Sequence, residues 1–159
     1  MKRSLNIIDR IGRIIPGYKG YAVRDSRRHI DKDLRVQIAS KLSLTEKKIE
    51  QHCLALVRNN QNQVAMEWEY VRKAINTLIP KIKNASYGVS GFFSDDQIKE
   101  SELDKIYDLD LKLSERINLI NTSIVENINE AIMSNTLMQS LSAIDELLND
   151  RIVFINQFK

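Results

Sequence analysis

Three features of this 159-residue chain predict an all-α fold, an antiparallel bundle of four principal helices preceded by a short amphipathic N-terminal helix. Apolar residues recur every three or four positions along most of its length, the spacing that gathers them on one face of a helix. There are only two prolines and five glycines to interrupt that pattern. All five glycines fall at or beside two breaks, at positions 12, 17, 20, 88 and 91, and none follows. The length favours one domain over residues 1–159, with a core large enough to need no disulfide or structural metal.

In the first segment, residues 1–15, Leu5, Ile7, Ile8, Ile11, Ile14 and Ile15 gather on one side of a helical wheel, opposite Lys2, Arg3, Asn6, Asp9, Arg10 and Arg13. The expectation is a peripheral helix that covers the bundle or a dimer seam. The alternative is a membrane contact, with Ile7, Ile8, Ile11, Ile14 and Ile15 entering the interface and the basic side chains meeting anionic lipid.

The first break, Pro16-Gly17-Tyr18-Lys19-Gly20-Tyr21, leads into a stripe of Arg24, Arg28 and Arg35 moderated by Asp31. Tyr18, Tyr21 and these arginines are candidate partner contacts, and phosphate with stacked bases is one chemistry they could meet. Nucleic acid is weakly supported, because no zinc-finger spacing, phosphate loop or recognition helix accompanies them. Arg27 and Arg35 can instead pair with Asp31 across a turn, and a solvated surface network is the default.

Ile30, Leu34, Ile38, Leu42, Ile49, Cys53 and Leu56 form the next stripe, with Thr45 filling its gap. One long helix explains it, although Ser43 and Glu46 could be a capping box that starts a second. Asn59 to Asn62 suits a turn. Val64, Trp68, Val71, Ile75, Leu78 and Ile82 then mark a helix that Pro80 should kink or end. Trp68 is expected to be an interior anchor.

The second break, Tyr87-Gly88-Val89-Ser90-Gly91-Phe92-Phe93, combines backbone freedom with aromatics that can seat the returning chain in an apolar groove. Its main expectation is structural anchoring, and Tyr87, Phe92 and Phe93 are also candidate partner contacts. Ser94 with Gln97, or Ser101 with Asp104, would start the next helix. Leu103, Tyr107, Leu113, Ile117, Ile120, Ile124 and Ile128 trace that helix, and Asp110, on the missing apolar beat, needs an exposed gap or a partner. The last helix carries Leu137, Leu141, Ile144, Leu148, Ile152 and Ile155, separated from its predecessor near Ser134-Asn135-Thr136.

Pro16 to Tyr21, Tyr87 to Phe93 and Leu103-Asp104-Lys105-Ile106-Tyr107-Asp108-Leu109-Asp110 together resemble the segments PGYxGY, YGxSGFF and LDxxYDxD of a family of uncharacterised bacterial helical-bundle proteins. The resemblance spans most of the chain, and the Asn-rich tail beyond Ile120 departs from it. It implies a compact helical module and brings no reaction, cofactor or catalytic residue with it.

The residues themselves narrow the chemistry further. Lys and Arg outnumber Asp and Glu 14 to 6 in residues 1–58 and trail them 10 to 15 in residues 59–159, so the halves carry net +8 and −5. Such polarity could orient an anionic partner or a second protomer, or be neutralised inside the bundle. Asp25, His29 and Asp33 share a helical face, but neither they nor His52 and Cys53 make a recognisable metal motif. No metal or cofactor is expected. Asp104, Asp108, Asp110 and Glu115 supply carboxylates without a nucleophile or phosphate cradle beside them, so no catalytic residue is assigned. The single cysteine excludes an internal disulfide and fits a reducing cytoplasm, free or at the inner membrane face. The expected role is a non-enzymatic protein-interaction or scaffold module that self-associates, with a membrane-peripheral or nucleic-acid-binding adaptor as the alternative.

Overall fold

The computed structural model describes residues 2–85, 90–94, 98–128 and 133–158. It contains α1 (Lys2–Ile14), α2 (Arg27–Arg58), α3 (Asn62–Lys83), α4 (Glu100–Asn127) and α5 (Met133–Asn156), with single 3₁₀ turns at Arg24–Ser26 and Gly91–Phe93. The four long helices form a packed bundle, and α1 lies outside it against α4. No helix among the described residues is long and apolar enough to cross a membrane.

The helices α2 and α3 make one antiparallel hairpin and α4 and α5 another. The Thr45 hydroxyl 3.2 Å from Asn121 Oδ1 fixes how α2 lies along α4, and Lys81 paired with Asp145 does the same for α3 and α5. Residues 90–94, between α3 and α4, lie at the end of the bundle where Phe92 and Phe93 are buried. Phe92 packs edge-on against Tyr21, Phe93 and Phe158. Gly91 N donates to Phe158 O at 2.9 Å, and the Ser90 hydroxyl donates to Ile155 O, tying this turn to the end of α5.

The predicted stripes become the core. Ile30, Leu34, Ile38, Leu42 and Ile49 of α2 and Trp68, Val71, Ile75 and Ile82 of α3 are buried in one apolar cluster with Ile106, Leu113, Ile117, Leu141, Ile144 and Leu148. Thr45 is buried and its hydroxyl also reaches Lys41 O, so α2 runs unbroken through Ser43 and no helix starts there. Pro80 lies inside α3, which continues to Lys83 before ending. In the turn between α2 and α3, Asn60 adopts φ 59°, a left-handed conformation that asparagine tolerates well.

Two helix starts differ from the sequence expectation. The first residue of α4 is Glu100, where Glu102 accepts the Lys99 amide at 2.7 Å, so neither Ser94 nor Ser101 is the cap. A glutamate satisfies the free amide and also places negative charge at the positive end of the helix dipole. Residues 95–97 lie outside those described. The last helix already includes Ser134, Asn135 and Thr136, so the break before it lies ahead of Met133.

Candidate functional site

The deepest polar feature forms where the chain leaves α1. Gly17 and Gly20 take φ of 86° and 73°, the left-handed region that favours glycine, and turn the segment back into the bundle. That turn inserts Tyr18 and Tyr21 among α2, α4 and α5. Both hydroxyls donate to Asp110 Oδ2 at 2.8 Å. Arg151 of α5 donates through Nε to Asp110 Oδ1 at 2.6 Å and through Nη2 to the Tyr21 hydroxyl at 2.9 Å. The same guanidinium lies 2.8 Å from Asp31 Oδ1 as an ion pair, and Arg35 bonds Asp31 Oδ2 at 2.9 Å.

Asp31, Asp110 and Arg151 are all at most 2% exposed. Burying ionised groups is tolerable here because each carboxylate meets a guanidinium and both Asp110 oxygens accept hydrogen bonds. Burial raises the pKa of Tyr18 and Tyr21 well above the ordinary value, and the Asp110 charge adds to the effect. Both phenols therefore stay protonated as donors. The Tyr107 hydroxyl accepts the Tyr21 amide at 2.9 Å, and burial also raises its pKa. Arg27 completes the attachment by donating to Tyr21 O and Phe92 O, at 2.8 and 3.1 Å.

This network joins three helices to both glycine-aromatic breaks. Within it Tyr18, Tyr21 and Arg151 fill the contacts of both Asp110 oxygens.

The sequence-predicted contacts mostly belong to this interior. Tyr18, Tyr21, Phe92 and Phe93 are covered by the chain itself. Ile7, Ile11 and Ile15 are core residues, with Ile8 and Ile14 packed against them, which uses the apolar side of α1 to cover α4. Arg27 and Asp31 are buried, not solvated as expected, because Tyr21 and Arg151 draw them inward. Arg35 is directed to Asp31 and to the carbonyls of Ile82 and Lys83 at the end of α3. Arg28 lies over the Phe93 ring and Arg24 pairs with exposed Asp25. The Tyr87 candidate lies outside the described residues. His29 pairs with Asp33 at 3.0 Å, and among the described residues no group of His, Cys, Asp and Glu is arranged to hold a metal. Arg10 of the basic half pairs with Glu115 of the acidic half at the surface, whereas Arg151 with Asp31 joins the halves with the charges reversed.

A different surface remains open. Between α2 and α3 lies a groove of about 460 Å³ lined by Cys53, Leu54 and Val57 on one wall and Ala65 and Met66 on the other. Leu54 is 54% exposed, Val57 52% and Met66 60%. Glu50, Asn62, Glu69 and Arg72 supply its polar margin. Arg72 is bound by both Glu69 and Glu46, which locks the two helices at the groove's inner end. Cys53 is half-buried and its thiol pKa is pushed up by burial first, so it behaves as an apolar wall residue.

No protein-family model, curated protein or solved structure matches this chain. The site is therefore defined by geometry alone.

Beyond the Thr45–Asn121 contact α2 continues to Arg58 while α4 ends at Asn127, so the α2–α3 hairpin overshoots α4 by about 10 Å at a rise of about 1.5 Å per residue. The groove is near this projecting end. Its residues were missed in the sequence because Leu54, Val57 and Met66 lie off the dominant core stripes. The available signal was a second stripe on α2, Glu50-Leu54-Val57-Arg58, which mixes apolar and charged residues on one exposed face.

Proposed function

We propose that this chain is a non-enzymatic helical protein-interaction module that docks another helical surface on the outer face of its α2–α3 hairpin. The observation that carries the reading is the exposed groove lined by Leu54, Val57 and Met66. Apolar side chains grouped in a concavity with a polar margin have the anatomy of an interface centre and rim. The buried Asp110–Arg151 network supports the same reading from the other direction, because its charged groups act on one another and hold the scaffold.

The test is a photo-crosslinking side chain placed at Leu54, compared with one at exposed Val153 on α5, in cells producing the chain at its natural level. A protein adduct formed from position 54 and not from position 153 is expected. Equal labelling from both positions, or no protein adduct from position 54, refutes docking at this groove.

A further inference from the structure

We propose that the occupant of the groove is a second copy of this chain, packed about a two-fold axis that crosses α2 at Leu54 and sets the two α2 helices antiparallel. This deepens the interaction reading above and rests on it.

The argument begins with a self-complementary charge pattern. Glu50, Leu54 and Arg58 follow one another at four-residue intervals and are all exposed, so they share one face of α2. In a two-fold contact centred on Leu54, each residue before the centre meets the residue equally far beyond it in the second copy. Glu50 then meets Arg58 of the second copy, and Arg58 meets Glu50. One sequence pattern thus supplies two opposite-charge contacts across a single isologous interface.

The neighbouring helix agrees. Met66 shares the groove with Leu54, and the Cys53 sulfur lies 3.8 Å from Ala65 O, which places these stretches of α2 and α3 at one level. Both this contact and the Glu46–Arg72 pair put residue 64 of α3 level with Leu54, so the same axis sets Met66 against Asn62 of the second copy and Glu69 against Asn59, while Lys47 on α2 faces Gln61. No like charges meet.

The other two-fold arrangement runs its axis along the groove and lays α2 on α3 of the second copy. The Glu46–Arg72 pair marks the level at which the two helices lie side by side. That arrangement would bring Lys47 near Lys73 and Glu50 near Glu69. Repulsion at these pairs selects the crossing axis, while Leu54, Val57 and Met66 provide the apolar contact under either geometry.

Sedimentation equilibrium on the full chain at up to about 100 μM, a range that detects micromolar association, tests the proposal. Wild type is expected to dimerise. Glu50→Arg and Arg58→Glu, each confirmed as folded by circular dichroism, should each weaken the dimer at least tenfold, about 1.4 kcal/mol or more. The combined exchange E50R/R58E should return the affinity to within about threefold of wild type, a gap of under about 1 kcal/mol. That rescue cannot come from general destabilisation by either change. A monomeric wild type, or a dimer indifferent to both reversals, overturns the second-copy proposal. If such a protein still gives an adduct from position 54 to a different protein, the interaction reading survives without self-association. If it gives none, both fail.

Discussion

Replacing Arg151 by methionine removes a guanidinium that contacts both Asp110 and Asp31 in the core, at 2.6 and 2.8 Å. Methionine fills much of the volume, so the main cost is electrostatic: two buried carboxylates lose a shared counter-charge, and the Tyr21 hydroxyl loses a donor. Breaking a buried pair on one side costs about 3–5 kcal/mol, a large part of the roughly 5–15 kcal/mol that stabilises an ordinary domain. At about 2–4 °C per kcal/mol for a chain of this size, the melting temperature should fall by about 6–20 °C. Trp68 is buried and is the only tryptophan, so its fluorescence during urea and thermal unfolding reports the transition directly. Asp31 keeps Arg35, so adding Asp110→Asn to the same variant removes the orphaned charge and should recover at least half the loss. A cost below about 1 kcal/mol for Arg151→Met, or a further fall on adding the asparagine, would refute the charge-compensation argument.

Two more predictions probe the same end of the bundle. A Cβ at Gly20 would lie 2.8 Å from Ile8 Cδ1 and 2.9 Å from the Tyr107 hydroxyl, at a φ of 73°, so Gly20→Ala should destabilise by about 2–4 kcal/mol from overpacking and backbone strain together, measured in urea. Alkali should act through the tyrosines: the folded pKa of Tyr18 and Tyr21 is raised above the ordinary 10.0, so the unfolded chain loses these protons first. Their stabilising contribution is complete below that value and is lost as pH rises through the folded pKa values. Urea midpoints should therefore fall steeply above about pH 10 in wild type and less steeply in Tyr18→Phe/Tyr21→Phe; equal slopes would contradict the assignment.

The helices were legible because their apolar stripes had the right period, and even the stripe's exceptions held information. Asp110 on an apolar beat needed a partner or a gap, and it has three partners. The identity of those partners was hidden because Tyr18, Tyr21 and Arg151 are distant in sequence and meet only after the two hairpins pack. Arg151 could have been noticed as a charge continuing the buried series Leu141, Ile144 and Leu148. The tyrosines and phenylalanines of the two breaks could be read as anchors or as binding contacts, with anchoring the main expectation for the second break. Aromatic content does not say which side of a turn faces the core, and the bundle end decides that by enclosing Tyr18, Tyr21, Phe92 and Phe93. The groove escaped for the opposite reason: Leu54 and Met66 are single apolar residues off the main stripes, and their common surface exists only once α2 and α3 lie together.

The central claim, that the outer hairpin face is where this chain associates, is tested most directly by amide hydrogen exchange at low and high protein concentration. Slower exchange at high concentration confined to residues 50–70, with α4 and α5 unchanged, is the predicted result. Protection that appears on α1 instead, or no concentration dependence at all, would contradict self-association through the α2–α3 groove.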